Sequence, residues 1–518
     1  MAVPRTSQEK ADVETLAAEA VDVMDKAKDL PTFGALGQEE LEFLANFSEQ
    51  ARKKVVRKVD WRLIPMLLFL FLISYLDKTN IGNAKIEGLL PSLHMTGNQY
   101  NIALSIFFIP YILAEIPSNL ILNKFKKPSQ YIALIVFLWG VIMVCTGFVT
   151  NFSTLCAVRF LLGLFEAGFF PGAILLVSKW YVPDEVQTRI ALIYTSAATG
   201  GAFSGLLAFG IAKMNGIAGY EGWRWIFIVE GLATVFMAFV CLLVLVDSPA
   251  LSSAWLTPDE VRYLELRQVA RRAARPEDYR EKSLDRSVLW AVLRDWKVYL
   301  LVLAQWSNMV PNYAMKFTMP SIVRSMGFAS ATAQLLTIPP YACGAVSGYV
   351  LSLFADRYVW RMPFILGPQA CVVVAFAVLF VKAGDIQHNI GVCYFGVCLA
   401  CLGMYPIFPG VNAWNVANQA GPTKRAVSIA YLVAMGNVGG VIGSYIYKED
   451  EAPEYPTGFG NSLAFAAAGL IAALLLEYLL LRSNRRNEKL TEVEVRARYT
   501  DEELERMGDR SPLYKYAL

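Results

Sequence analysis

Ionisable side chains interrupt the most apolar stretches of this sequence at three places. Asp77 and Lys78 follow the apolar run Ile64–Ile73 before any clear turn. Glu166 stands between RFLLGLF and AGFFPG, and Lys316 stands within WSNMVPNYAMKFTMP. A charged group at the depth of a bilayer costs at least about 2.5 kcal/mol, so it persists where it is paired, hydrated or required for function. These residue types offer reversible proton binding by the carboxyl groups and anion binding by the lysines.

Each position also has a structural interpretation. Asp77 and Lys78 would lie in the outer membrane interface if the first helix ended beside them. Glu166 would be an interhelical partner or a neutral hydrogen-bonded acid. Alternatively, it would load and release a proton, because burial favours the neutral form of a carboxyl group. Lys316 would extend to the outer headgroups or reach a central cavity. The residues alone leave these alternatives open.

The elements that must position these residues are membrane-spanning helices. Of the 518 residues, 55% are hydrophobic and only 18% are charged, against about 25% charged in a typical soluble domain. At about 20 apolar residues per crossing, the sequence predicts an all-α membrane protein with twelve transmembrane helices in two pseudo-symmetric halves of six. The predicted spans lie near 62–86, 100–122, 130–150, 153–178, 188–212, 224–246, 298–323, 332–354, 362–382, 390–412, 427–447 and 462–482.

Both tails and the central loop are predicted to be cytosolic, because Lys and Arg collect on their side of the membrane. The segment Arg52–Arg62 forms the densest basic cluster, and the opposite side carries only scattered cations. The chain therefore divides into a cytosolic tail (1–59), a six-helix half (60–247), a cytosolic loop (248–296), a second six-helix half (297–482) and a cytosolic tail (483–518).

Composition and motifs argue against several other classes of function. A net charge of +3 gives no support for nucleic-acid binding. The eight cysteines lie in apolar runs, and the two histidines make no metal-binding spacing. The sequence has no HExxH motif and no nucleophile elbow, so we expect neither a cofactor nor an enzyme.

The two halves repeat weakly. LLGLFEAGFFPG (Leu161–Gly172) is echoed by CLGMYPIFPG (Cys401–Gly410), at an offset of about 238 residues. The same offset relates Lys78 to Lys316, which would place one lysine from each half across a pseudo-twofold axis. Parallel repeats of this kind are typical of transporters.

These motifs resemble those of the major facilitator superfamily. ADRYVWR (Ala355–Arg361) resembles the superfamily's loop between helices eight and nine, which gives Asp356 and Arg357 a structural or gating role. YLDKTNIGNA, IPSNLIL, RFLLGLFEAGFFPG and GWRWIFIVEG resemble the anion:cation symporter family. The similarity is greatest to its fungal branch of allantoate, nicotinate, pantothenate and biotin permeases, and it spans roughly Asp60 to Arg482.

The resemblance implies a proton-coupled symporter of a small organic anion that works by alternating access in the plasma membrane. Asp77 and Glu166 would carry the coupling proton and share one central site. Lys78, where other members often have arginine, would hold the substrate carboxylate. Arg159 would be the counter-charge of the two acids or a structural partner that holds helix four.

Further polar residues complete the expected site. Lys316 is a candidate substrate contact that the family pattern does not support, and the other candidates are Asn80, Asn312, Tyr313, Asn412 and Asn415. The asparagines of helix ten also fit plain interhelical hydrogen bonding. Export of a specialised metabolite and nutrient sensing on a transporter fold stay open as alternative functions. We expect a monomer whose partners are the anion, the proton and the bilayer.

Overall fold

The computed structural model describes residues 38–122, 124–274, 286–358, 362–420, 422–490, 492–500, 503–504 and 507–517. Twelve long helices, labelled α1 to α12, form the bundle. The first six are Glu49–Ile86 (α1), Gly97–Leu122 (α2), Pro128–Thr146 (α3), Phe152–Trp180 (α4), Pro183–Ala212 (α5) and Gly222–Val244 (α6). The second six are Trp296–Ser325 (α7), Ile338–Tyr358 (α8), Pro363–Lys382 (α9), Ile390–Ala417 (α10), Pro422–Ile446 (α11) and Pro456–Asn487 (α12). The predicted all-α architecture of two six-helix halves is therefore confirmed.

Shorter helices connect and flank these twelve. The α-helical ones are Gln38–Asn46, Leu89–Ser92, Pro258–Ala274, Arg286–Leu293, Ser330–Leu335 and Glu492–Arg498. Single 3₁₀ turns occur at Ile217–Gly219, Pro249–Leu251, Ala383–Asp385, Glu449–Glu451 and Gly508–Arg510. The sequence also predicts a helical segment near 267–282 within the central loop. The structure describes this segment up to Ala274, and residues 275–282 lie outside the described residues.

The first long helix begins earlier than the sequence predicted. The Ser48 side chain caps α1 by accepting a hydrogen bond from the Ala51 amide at 3.3 Å. The lysines and arginines that follow are good helix formers, so the basic cluster extends the membrane helix by more than three turns. At the start of α4, Asn151 and Thr154 form a reciprocal capping box, which fixes where that helix starts.

Each half has its own apolar core. Trp139, Trp180 and Trp223 are fully buried in the first half, and Phe376 and Phe459 are fully buried in the second. Large apolar side chains also cover the outside of the bundle, among them Leu113, Phe236, Leu243, Val346, Val381, Phe395 and Ile471. An exposed apolar surface of this extent fits a lipid environment rather than water.

Among the described residues, eight of the long helices are apolar enough to cross a membrane by length and composition alone. The two halves of the bundle meet along a junction formed by three pairs of helices. Helix pairs α1 with α7, α2 with α11, and α5 with α8 make this junction.

The two ends of the bundle differ. We call the end where α1 begins and α12 ends the tail face, and the opposite end the distal face. At the distal face the halves are joined by an ion pair between Lys85 and Glu449. Arg324 also donates to the Ile86 carbonyl oxygen at 3.0 Å, and Gln334 donates to the Glu87 carboxylate at 3.0 Å.

At the tail face, polar contacts hold helices of one half together. Arg189 of α5 pairs with Asp60 of α1 at 3.0 Å. Asp509, near the carboxyl terminus, pairs with Lys297 at the start of α7 and with Lys424 of α11 at 2.7 Å. The backbone that follows is tied to α10, because Trp414 donates to the Ala517 carbonyl oxygen at 3.1 Å. The carboxyl-terminal segment therefore closes the end of the second half.

Candidate functional site

A buried ion pair lies at the centre of the molecule, where α1 and α4 meet. The Lys78 ammonium group is 3.0 Å from Oε1 of Glu166, whose side chain is fully buried. The Ser74 hydroxyl donates to the same carboxylate oxygen. Ser74 and Lys78 are four residues apart and so lie on one face of α1, and the Lys78 side chain remains 20% exposed. The pair thus joins a buried acid to a cation that keeps access to solvent.

Aromatic rings surround the two lysines that the sequence singled out. The Lys78 ammonium group lies 4.7 Å from the centre of the Tyr111 ring. The Lys316 ammonium group lies 4.3 Å from the Tyr75 ring and 4.9 Å from the Tyr313 ring. Because Tyr75 belongs to α1, Lys316 of α7 points across the junction of the halves and not towards the distal face. Within the described residues Lys316 forms no ion pair.

Asp77 lies on a different side of α1 from Lys78, because consecutive residues on a helix are about 100° apart. Its Oδ2 accepts hydrogen bonds from the indole of Trp139 at 2.9 Å and from the Thr234 hydroxyl at 3.3 Å. Asp77 is fully buried between α1, α3 and α6. The structure therefore differs from the expected shared site, in which Asp77 and Glu166 faced the same cavity.

Glu230, a buried acid of α6, was not among the residues predicted from the sequence. Its Oε2 accepts a hydrogen bond from the Asn80 side-chain amide at 2.5 Å, and Glu230 is only 6% exposed. Glu230 is close to Asp77, because the Thr234 hydroxyl is within hydrogen-bond distance of both Oδ2 of Asp77, at 3.3 Å, and the Glu230 carbonyl oxygen, at 2.9 Å. Glu230 interrupts the apolar segment IFIVEGLATVF in the same way that Glu166 interrupts its own apolar run. The sequence pattern that indicated Glu166 therefore also indicated Glu230.

Asn80 is consequently placed away from the expected substrate site. It is fully buried and lies inside the first half, where its amide faces Glu230. The Oδ1 atom of Asp77, the Oε1 atom of Glu230 and the Oδ1 atom of Asn80 have no hydrogen-bond donor among the described residues. A buried acceptor without a donor costs free energy, and a proton on one of the two carboxyl groups would supply such a donor.

Arg159 of α4 forms no ion pair with either acid within the described residues. It is 2% exposed, and its guanidinium group lies 5.8 Å from the Phe107 ring. Its Nε atom has no hydrogen-bond partner there. The cation that contacts Glu166 is Lys78, which reaches it from the neighbouring helix α1.

The remaining candidates make contacts within the second half. Asn312 donates to Asn308 at 3.2 Å, and the Tyr313 hydroxyl donates to Asn437 at 3.3 Å. Asn412 donates to Gln305 at 3.4 Å, and Asn415, which is fully buried, accepts from Ser428 at 2.7 Å. The side chains of Asn412 and Asn415 on α10 therefore form hydrogen bonds to the neighbouring helices α7 and α11. Asp356 and Arg357 belong to the last turn of α8, and their side chains lie outside the described residues.

The described residues contain no group of three or more His, Cys, Asp or Glu side chains that could hold a metal ion. What the arrangement offers is a set of buried carboxyl groups on α1, α4 and α6 and two lysines at the junction of the halves. Such a set can bind protons and an anion, and its two functions are linked because Lys78 contacts Glu166.

Comparison with known proteins identifies the family of the chain. A family model described as the Major Facilitator Superfamily matches residues 67–444. The chain is 37% identical over 482 residues to the MFS-type transporter cnsO of Penicillium expansum, covering 91% of this chain and 92% of that protein. It is 30% identical over 478 residues to the high-affinity nicotinic acid transporter of Saccharomyces cerevisiae, covering 90% of this chain and 85% of that protein.

Solved structures share the fold. The xylose transporter XylE from E. coli, in a partially occluded inward open conformation, aligns with a TM-score of 0.62 at 11% identity. The alignment covers 80% of this chain and 96% of XylE. A bacterial homologue of the lysosomal transporter Spinster aligns with a TM-score of 0.61 at 15% identity, covering 83% of this chain and 96% of that one.

Proposed function

Because the chain belongs to the major facilitator superfamily, we propose that it is a proton-coupled symporter that carries a small organic anion. The observation that carries the proposal is the ion pair between Lys78 and Glu166. Lys78 keeps part of its side chain exposed beside a fully buried acid. A carboxylate that enters the junction of the halves competes with Glu166 for this cation.

Protonation of Glu166 links the proton to the anion. When Glu166 is ionised, its charge neutralises Lys78 and the site has little attraction for an anion. When Glu166 takes up a proton, Lys78 loses its internal partner and requires another one, since an unpaired buried charge is costly. Substrate carboxylate and proton therefore bind together, and each is released more easily once the other has left.

Lys316 is the second proposed anion contact. It lies across the junction from Lys78 and stands between two tyrosine rings without a carboxylate partner in the described part of the chain. The two lysines also repel each other, and an anion between them would relieve that repulsion. Tyr313, which holds the Lys316 ammonium group on one side, belongs to the same site.

Asp77 and Glu230 form the second proposed proton-binding group. Both are buried inside the first half, and the donors that reach their carboxylates there are neutral: Trp139, Thr234 and Asn80. Two ionised carboxylates in such a site repel each other, so one shared proton is favoured. The proton would also supply the donor that the free oxygen atoms lack.

Alternating access follows from the two faces of the bundle. At the distal face, an ion pair and hydrogen bonds join the two halves to each other. At the tail face, the polar contacts described above connect helices of the same half. This difference favours a state that is open towards the tail face. With the tail face in the cytosol, as the distribution of Lys and Arg predicts, this is an inward-facing state in the plasma membrane. A relative that is named as a nicotinic acid transporter supports a carboxylate as the cargo.

Uptake by a permease-deficient yeast strain tests the function. Labelled organic acids, including nicotinate and pantothenate, are supplied at acidic and neutral pH to cells that express the wild-type protein or Glu166→Gln. The wild type should accumulate one acid in a pH-dependent way. Glu166→Gln should keep counterflow exchange and lose accumulation. Unchanged pH-dependent accumulation by Glu166→Gln would contradict the assignment.

A further inference from the structure

A cationic cavity lies outside the proposed transport site, at the start of α1. Its volume is about 430 Å³, and it is lined by Lys54, Arg57, Lys58, Trp61, Arg62 and Trp255. Trp255 belongs to the connector between α6 and the helix Pro258–Ala274. The cavity therefore lies between the first membrane helix and the central loop, on the tail face.

The cavity carries more positive charge than its acidic neighbours neutralise. Lys58 pairs with Glu260 at 2.5 Å. Lys54, Arg57 and Arg62 form no ion pair within the described residues. The guanidinium carbon of Arg62 lies 4.6 Å from the centre of the Trp255 ring, and the Arg62 N–H groups form no ion pair within the described part of the chain.

Two neighbouring cations are used differently. Arg52 donates to the Phe47 carbonyl oxygen at 2.8 Å, and Lys53 pairs with Glu49 at 2.6 Å. The basic cluster of α1 thus divides into residues with internal partners and residues that surround the cavity. Lys58 belongs to both groups, whereas Lys54, Arg57 and Arg62 are left available to an anion from outside the chain.

The position of the cavity relative to the apolar surface indicates which anion this is. Trp61 is 71% exposed at the point where the apolar run begins, and tryptophan is enriched at membrane interfaces. Lys58, Arg62 and Phe69 lie on one face of α1 by helical spacing, and Phe69 is 58% exposed. A cationic surface thus continues directly into an apolar one.

We propose that this cavity binds the headgroup of a polyanionic phospholipid, in which more than one phosphate meets Lys54, Arg57 and Arg62. The acyl chains lie along the face of α1 that includes Trp61 and Phe69. A phosphate also competes with Glu260 for Lys58, so lipid binding acts on the contact between α1 and the helix Pro258–Ala274. A soluble anion would gain nothing from the apolar half of this surface.

Binding is measured on the purified full-length protein in neutral detergent by native mass spectrometry. The probes are dioctanoyl phosphatidylinositol 4-phosphate, dioctanoyl phosphatidylcholine, inositol 1,4-bisphosphate and inorganic phosphate. The test variant is Lys54→Gln/Arg57→Gln, which alters two exposed side chains. The control is Lys126→Gln/Lys127→Gln, which removes the same charge from exposed positions on the loop between α2 and α3.

We expect the phosphoinositide to bind the wild type and the control equally. At about fivefold in affinity per neutralised cation, the test variant should bind it roughly 30-fold more weakly. Its unfolding temperature without lipid should match that of the wild type. Equal binding of phosphatidylcholine, equal binding of the soluble phosphates, or equal loss in the control variant would each overturn the proposal. None of these outcomes bears on transport, which depends on Lys78 and Glu166.

Discussion

Replacing Lys78 with alanine should destabilise the protein in a way that depends on pH. The change leaves Glu166 buried without its cation, although the Ser74 hydroxyl still donates to it. Removing one partner of a buried ion pair costs about 3–5 kcal/mol. The carboxyl group escapes this cost by taking up a proton, which for an ordinary glutamate costs about 3.7 kcal/mol at pH 7. We therefore expect a loss of roughly 3–4 kcal/mol near neutral pH.

The loss should shrink in acid, because protonating a carboxyl group becomes about 1.4 kcal/mol cheaper for each unit of pH. At pH 5.5 it should be about 1.6 kcal/mol. In the double variant Lys78→Ala/Glu166→Gln no charge remains to be compensated, so most of the stability should return at pH 7. Lys316→Ala is the matched control, because Lys316 has no carboxylate partner in the described residues and Glu166→Gln should not rescue its loss.

The assay is the apparent unfolding temperature of the purified variants in detergent at pH 7.5 and pH 5.5, with uptake measured in parallel. The reasoning is refuted if Lys78→Ala is equally unstable at both values of pH, or if Glu166→Gln fails to rescue it. Either result would mean that the contact between Lys78 and Glu166 does not hold the site together, and the proposed link between proton and anion would fail with it.

Three further predictions concern other parts of the molecule. Glu230→Gln keeps the hydrogen bond to Asn80 but removes a negative charge beside Asp77, so half-maximal uptake should require a more acidic medium; an unchanged pH profile would contradict the shared proton. Burial would raise the pKa of Asp509, but Lys297 and Lys424 outweigh it and lower that pKa. Asp509→Asn should therefore lower the free energy of unfolding by about 1–3 kcal/mol at pH 7. This difference from the wild type should vanish only below about pH 4, where Asp509 is protonated. A difference in stability that persists at lower pH would refute the pairing. A Cβ atom at Gly82 would lie 2.8 Å from the Phe317 carbonyl oxygen, so Gly82→Val should open the distal face and increase labelling of a cysteine introduced at Glu449; unchanged labelling would show that this contact does not close the face.

Hydropathy and the spacing of charges were enough to predict the helices. Long apolar runs are a strong signal because every backbone polar group in a bilayer must be satisfied within a helix. Helix α7 was predicted although Asn308, Asn312 and Lys316 interrupt its apolar run. The start of α1 was misplaced, because hydropathy marks the membrane and takes no account of a helix that continues beyond it.

The direction of each side chain was harder to predict than its depth. Asp77 and Lys78 are neighbours in sequence, but one contacts α3 and α6 and the other contacts α4 and the junction. The helices that pack against each face of α1 are distant from it in sequence. The periodicity of α1 therefore does not show which helix each of its side chains will contact. Glu230 was missed for a related reason: its importance becomes visible only through its contact with Asn80 and its closeness to Asp77.

The two groups of buried ionisable residues are mechanically connected because both are anchored on α1. Ser74 and Lys78 hold the acid of α4, and Asp77 and Asn80 hold α3 and α6. A rotation of α1 that moves Lys78 away from Glu166 must also strain the bonds from Trp139 and Asn80, since one helix backbone supports all four side chains. In the proposed mechanism, protonation of Asp77 or Glu230 would weaken those bonds and make the rotation easier. The same helix meets α7 at Gly82 and bonds to the second half through Lys85 at the distal face. A change of charge inside the first half can therefore affect the ion pair between Lys85 and Glu449 at the distal face through α1 alone.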